Sequence, residues 1–374
     1  MDASLLDSFK DPGLVKGLLA HIAQQAAQLN AQWGRPVRLM EVCGTHTVAI
    51  ARSGFRSVLP PSLQLISGPG CPVCVTANVD IDHIIALTHL PDALVATFGD
   101  MIRVPGSSTS LMQRKAEGAA IEVIYSPLDA LKLAQTHPDR QVILVGVGFE
   151  TTTPLVAATI ERAQAQQLQN FSVLAVHKRV PPALEALVSD PELALGALIL
   201  PGHVSTILGL EPYRFLARDH RIPGVITGFE PVDVLQGISQ LLQQLLEGRA
   251  EIGISYQRAV MVQGNPAALE AIKRVFSVCD ATWRGLGTIP DSGYAIRERF
   301  STYDALARFT LETEPTVEPK GCRCGDVLRG VLSPAGCPLF GTACTPANPI
   351  GPCMVSSEGS CAAWHRYQLK DLHG

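Results

Sequence analysis

No run of about 18 uncharged apolar residues occurs in this 374-residue chain, so a membrane-spanning helix is not expected. Met1 to Lys10 alternates charged with apolar side chains and lacks the continuous apolar stretch of a signal peptide, which points to the cytoplasm. Surplus positive charge is also missing. The formal net charge is -4 with no basic stripe, and this disfavours a nucleic-acid surface. The turn Gly146-Val147-Gly148 completes neither the G-x-G-x-x-G nor the G-x-x-x-x-G-K-[ST] pattern, so no nucleotide motif supports a nucleotide site. Charged residues make up only 17% and hydrophobic ones 47%, the balance of a compact protein rather than a disordered one. The length exceeds what one hydrophobic core serves, and two or three domains are expected.

What the chain does have is cysteine: ten of them, unevenly placed. In a cytoplasmic protein this argues for metal or redox chemistry rather than structural disulfides. Cys43, Cys71 and Cys74 lie in the first third, Cys322, Cys324, Cys337, Cys344, Cys353 and Cys361 crowd the end, and Cys279 stands alone as an expected buried small residue. The organising stretch is Ser67-Gly68-Pro69-Gly70-Cys71-Pro72-Val73-Cys74-Val75-Thr76, between an apolar strand at Leu63 to Ile66 and a helix at Asn78 to His89. Gly68 and Gly70 allow a tight bend there, and free N–H groups at a helix start would favour thiolate over thiol. A C-x-x-C in this setting is a dithiol redox pair or half of a soft-metal site.

Asp11-Pro12 predicts the start of an amphipathic helix with Leu14, Leu18, Ile22, Ala26 and Leu29 on one face, ending at Gly34. Short apolar runs follow at Val37 to Val42, Leu63 to Ile66, Ala93 to Phe98, Ile121 to Tyr125, Val142 to Val147, Ser172 to Val176, Ala197 to Leu200, Val225 to Thr227 and Val260 to Val262, separated by helix-length segments. This is the βαβ signature of parallel sheets covered on both faces. The expected fold is therefore α/β, with two parallel-sheet domains at residues 1–139 and 140–255. A C-terminal cysteine-rich iron-sulfur segment would occupy 256–374. Gly285 to Gly293 reads as a turn-rich loop and Pro315 to Lys320 as a linker. The terminal segment has too few apolar residues for a core of its own, so a cluster or zinc would have to hold it.

Polar residues gather just after the strands, where open parallel sheets bind ligands. Cys43-Gly44-Thr45-His46 follows the first strand, and three thiols converging there would suit a soft or borderline metal with open positions. Glu41, Asp100, Glu150, Glu230 and His203 are candidate proton carriers or orienting groups. The six terminal thiols, which lack the paired C-x-x-C knuckles of structural zinc, suit four ligands of a 4Fe-4S cluster plus two thiols able to form a disulfide.

Six motifs in order carry a resemblance: Met40-Glu41-Val42-Cys43-Gly44-Thr45-His46-Thr47, Gly68 to Thr76, Gly148-Phe149-Glu150-Thr151-Thr152, Pro201-Gly202-His203-Val204-Ser205, Cys324 to Gly330 and Met354 to Gly359. From about Val37 to Tyr367 the chain resembles the HypD family of nickel-iron hydrogenase maturation factors. The resemblance implies a cytoplasmic scaffold that assembles the Fe(CN)2CO moiety with a HypC-type small chaperone and a HypE-type cyanide donor, before iron passes to the hydrogenase large subunit. It implies iron held by Cys43, with His46 beside it, and by Cys71 and Cys74 as a pair cycling between dithiol and disulfide. It further implies a 4Fe-4S cluster on Cys322, Cys337, Cys344 and Cys361, with Cys324 and Cys353 as a redox pair carrying electrons from the cluster. Spacing alone also permits Cys324 as a ligand. Two other readings compete: a stand-alone thiol-disulfide oxidoreductase using Cys71 and Cys74, and a zinc-stabilised binding module.

Overall fold

Asp11 begins the first helix as the sequence predicts. Its carboxylate accepts from the Leu14 N–H at 2.8 Å, Pro12 occupies the first turn where its missing N–H costs nothing, and Gly34 closes Pro12–Trp33 in the left-handed conformation. Its buried face is Ile22, Gln25, Ala26 and Leu29, whereas Leu14 is exposed, so the apolar stripe begins later than the periodicity suggests. That face lies on the helix Pro231–Leu246, where Gln25 exchanges hydrogen bonds with Ser239 and Gln243. The computed structural model describes residues 11–368. Met1 to Lys10, where the sequence shows no signal-type stretch, lie outside the described residues.

Two parallel sheets dominate. The first has β1 (Val37–Glu41), β2 (Leu63–Ser67), β7 (Ala197–Leu200), β8 (Gly224–Ile226) and β9 (Ile252–Ile254) in the order β2-β1-β7-β8-β9. The second has β3 (Ala93–Thr97), β4 (Ile121–Val123), β5 (Gln141–Gly146) and β6 (Phe171–Ala175) in the order β4-β3-β5-β6. All their pairings are parallel, and β3 is buried along its whole length, as expected of strands covered by helices on both faces.

The chain thus leaves the first sheet after β2, builds the second, and returns at β7 beside β1. The expected bound at residue 139 does not follow the sheets, since β3 pairs with β5 across it and the first sheet joins strands from both sides of it, whereas the bound at 255 falls just past β9, the last parallel strand. Local pattern finds strands but not partners, because register across a parallel crossover depends on distant segments. Each sheet reverses its strand order once, between β1 and β7 and between β3 and β5. In open parallel sheets such switch points are where the loops after neighbouring strands diverge and ligands bind. Cys43 and His203 follow the first pair of strands, and Asp100 and Glu150 follow the second.

Two further expectations need correction. Val260 to Val262 is irregular and leads into a turn, with Met261 and Val262 exposed, and the ninth strand is the short Ile252–Ile254. Gly285 to Gly293 is largely strand: β10 (Phe276–Trp283) and β11 (Gly287–Ile296) form an antiparallel hairpin with an irregularity between Cys279 and Ala281. Asp280, Pro290 and Asp291 mask the pattern that would have announced it. The C-terminal segment, with only short helices such as Cys324–Arg329 and Ser360–Tyr367, shares the core of the first sheet. Leu328, Met354, Cys344, Cys353 and Cys361 pack with Met40, Leu198, Leu200, Phe149 and Trp283. Among the described residues, no helix is long and apolar enough to cross a membrane.

Candidate functional site

The turn after β1 and the turn after β2 touch through their backbones. Gly44 N–H donates to Gly70 O at 2.8 Å, and a Cβ at Gly70 would lie 2.2 Å from Cys43 N and 2.4 Å from Cys43 Cα. Gly70 is needed for this close approach, since its φ is not positive. Cys43 and Cys71 therefore stand on adjoining loops. Cys71 caps the four-residue helix Pro72–Val75, its sulfur accepting from Cys74 N–H at 3.2 Å, and Cys71 and Cys74 are joined by a disulfide.

Cys43 precedes the helix Gly44–Arg52, yet its thiol is pushed up to about 11 by burial, with the neighbouring Glu358 carboxylate adding to the rise. The N–H groups of Thr45 and His46 oppose this without overcoming it. Glu358 was not singled out from the sequence as a site residue. It closes the turn: its carboxylate accepts from Thr45 Oγ1 at 2.8 Å, and its Cβ would sit 2.6 Å from a Cβ at Gly44. Asp100, after β3, pins the same C-terminal loop by accepting from Ser356 Oγ, Ser357 N–H and Ser357 Oγ at 3.0–3.2 Å. The signal for Glu358 lay in the motif Met354 to Gly359, which carries a charged residue among small ones.

The other polar residues divide by role. His46 turns toward β8: Nε2 is 2.9 Å from Gly228 O and 2.8 Å from Thr227 Oγ1, and burial lowers its pKa to about 4. It is a neutral anchor at this site. His203 stacks on Phe229 at 4.1 Å, Phe229 also packs on His46 at 4.6 Å, and His203 Nδ1 is 3.5 Å from Thr45 Oγ1. Glu41 lies under the loop, where Arg56 and Ser67 both donate to its Oε1 at 2.7 Å; burial raises its pKa. Glu230 belongs to the capping box of Pro231–Leu246, its N–H donating to Asp233 at 3.2 Å. Glu150 accepts from Val180 N–H at 3.0 Å, and burial raises its pKa to about 7. Both Glu150 and Cys43 act on the buried Tyr213 hydroxyl, whose pKa is raised first by burial.

All six terminal cysteines line one small cavity, together with Val327, Leu339, Phe340 and Met354. Cys324 and Cys353 sulfurs are 2.8 Å apart, and Ile350 N–H donates to Cys344 Sγ at 3.3 Å. Within this group Cys324 is driven toward thiolate by hydrogen bonds from Cys322 and Cys353. Cysteine thiols are the donors an iron-sulfur cluster takes, so the donor type suits that group. Among the described residues, no three His, Cys, Asp or Glu are drawn together as a ready metal-ligand set. The two cysteine regions adjoin: helix Pro72–Val75 packs on helix Pro352–Val355, and Cys74 Sγ is 3.9 Å from Pro352 O, one residue before Cys353.

Parallel α/β sheets that gather a C-x-x-C turn, a third buried thiol and a cysteine-rich cavity define a thiol-bearing α/β scaffold. The family model HypD, described as "Hydrogenase formation hypA family", matches residues 14–368. The chain is 46% identical over 364 residues to the hydrogenase maturation factor HypD of Rhodobacter capsulatus, covering 96% of this chain and 97% of the relative. It is 47% identical over 369 residues to the hydrogenase expression/formation protein HupD of Azotobacter chroococcum mcd 1, covering 97% and 96%. Against HypD of Escherichia coli (strain K12) the identity is 42% over 367 residues, 98% of each. The chain belongs to the HypD family.

Proposed function

We propose that the chain is a hydrogenase maturation scaffold and redox protein on which the Fe(CN)2CO moiety of nickel-iron hydrogenases is assembled. Membership of a family whose curated members are named hydrogenase maturation factors supports the general role. The finer reading rests on one observation: Cys43 adjoins the Cys71–Cys74 pair, and that pair packs against the helix bearing Cys353. Iron is the cargo, held by Cys43, Cys71 and Cys74.

The disulfide offers iron no thiolate. Two electrons break the Cys71–Cys74 bond and leave two sulfurs able to bind, so loading of iron waits on reduction. Cys43 is a protonated thiol at rest, and binding iron releases its proton. Thr45 and Glu358 fix the turn meanwhile, and burial of Cys43 keeps water from the diatomic ligands. A 4Fe-4S cluster on Cys322, Cys337, Cys344 and Cys361 would supply reducing electrons beside the Cys324 and Cys353 pair. The partners of this reading are a HypC-type small chaperone, a HypE-type cyanide donor and, through the chaperone, the hydrogenase large subunit, all in the cytoplasm.

The test is Cys43→Ala, Cys71→Ala and Cys74→Ala, each co-purified anaerobically with the small partner. Infrared bands of iron-bound cyanide and carbonyl should vanish in all three, while the visible absorption of the C-terminal cluster persists. Bands retained in all three variants remove these thiols from the iron site. The Cys71–Cys74 disulfide also favours a second reading, a stand-alone thiol-disulfide oxidoreductase. That reading expects turnover with generic disulfide substrates, undiminished in Cys43→Ala.

A further inference from the structure

At the tip of the β10–β11 hairpin, Arg284 is buried, and its side chain makes no hydrogen bond to the hairpin that carries it. Nε donates to Thr76 O at 3.2 Å and Nη2 to Asn78 Oδ1 at 3.0 Å, two and four residues after Cys74. Nη1 donates to Glu318 Oε2 at 2.6 Å, four residues before Cys322. Its own N–H donates to Val75 O at 2.9 Å, and Trp283 bridges to Thr76. The next residue, Gly285, has φ +81°, and a Cβ there would lie 2.5 Å from Gly325 Cα, beside Cys324.

The hairpin does not need Arg284 for its own integrity. It is closed by its ladder from Phe276–Ile296 to Trp283–Gly287 and by Trp283 Nε1 donating to Ser292 Oγ at 2.9 Å. The guanidinium spends its donors on the segments leading out of one cysteine site and into the other. A planar fork with fixed donors can hold several partners in one geometry, which a single ammonium cannot.

We propose that Arg284 is a positioning residue that holds the Cys71–Cys74 turn in fixed register with the Cys324 and Cys353 pair, so that the redox state of each pair is felt by the other. This rests on the redox reading above. One face of the contact is direct, helix Pro72–Val75 on helix Pro352–Val355. Arg284 and Gly285 add a second connection, to Thr76 and Asn78 on one side and to Glu318 and Gly325 on the other, so displacement of either site is transmitted rather than absorbed.

The experiment equilibrates the full-length chain in glutathione buffers of graded ratio and reads the Cys71–Cys74 disulfide by differential alkylation and peptide mass spectrometry. In the wild-type background, the Cys324→Ser/Cys353→Ser double substitution is expected to shift the equilibrium constant about tenfold, a typical coupling between linked sites. In Arg284→Met the same double substitution is expected to shift it by less than about twofold, with Arg284→Lys between the two. Glu318→Ala removes only the exposed arm and keeps most of the shift. Asn78→Ala, which deletes one buried arm, is expected to lose about half of it on a logarithmic scale and covers the case in which Arg284→Met does not fold. A full tenfold shift in a folded Arg284→Met overturns the role of Arg284 alone. No shift in the wild-type background overturns the redox reading, and this inference with it.

Discussion

Sulfur is held differently in the two cysteine regions. Around Cys43, Cys71 and Cys74 the backbone does the holding: strands β1 and β2 run in register, their following turns are hydrogen-bonded at Gly44 and Gly70, and the sulfurs sit on a frame that does not need them. From Cys322 to Cys361 there is no sheet, the segment leans on the core of the first sheet, and six sulfurs line one cavity with a few apolar neighbours. The first region is expected to keep its shape through redox and metal cycles, the second to depend on what its sulfurs bind.

The sharpest way to break this comparison is at the frame. Gly70→Ala would drive a Cβ into the Cys43 backbone, and overpacking against backbone with nowhere to move is expected to cost about 3 kcal/mol or more in urea unfolding. A loss near zero would mean the two turns are not locked together. Next is pH. Glu150, whose charge bears on Tyr213 as that of Cys43 does, has its folded pKa raised to about 7 from 4.5 by burial. Below about pH 4.5 it is protonated in both states and its contribution is complete. As pH rises toward 7 the unfolded chain ionises first, and stability falls by up to about 3 kcal/mol. His46, lowered to about 4, acts with the opposite sign between 6.5 and 4, so the quantity to measure is wild type minus Glu150→Gln. A flat difference across that window would show that Glu150 is charged in the fold.

Smaller still is the central disulfide. Its closed loop is only four residues long, so Cys71→Ser/Cys74→Ser should cost about 2 kcal/mol at most. Hydrogen exchange should stay unchanged in β1 and β2. The same measurement on Cys337→Ser/Cys344→Ser should show faster exchange across residues 322–361, which would sharpen the contrast; equal behaviour of the two variants would erase it. The smallest effect is expected at Cys279, which is half-buried on the hairpin rather than buried as the sequence suggests. Cys279→Ala should change stability by less than about 1 kcal/mol and leave the spectra of the C-terminal segment untouched.

Much of the fold was legible because its signals are local. Asp11-Pro12 and Gly34 bracket a helix through capping, and runs such as Ala197 to Leu200 are strands because short buried apolar segments have few alternatives. The β10–β11 hairpin was hidden by its polar residues, and Ile252–Ile254 by its brevity. The site was half legible. Cys-x-x-C and the Cys43 turn stand out by residue type, but Glu358 and Arg284 act through partners 313 and about 200 residues away, and no spacing rule reaches that far.

By itself the sequence determined which segments alternate between strand and helix, where the reactive sulfurs lie along the chain, and that polar residues gather at strand ends. Those are properties of near neighbours, set by side-chain period and backbone preference. Only the tertiary structure decided that β7 returns beside β1, that His46 faces β8 rather than presenting a proton, and that Arg284 reaches between the two cysteine regions. Such outcomes come from packing segments distant in the chain against one another, and they are fixed by burial and hydrogen bonding in three dimensions.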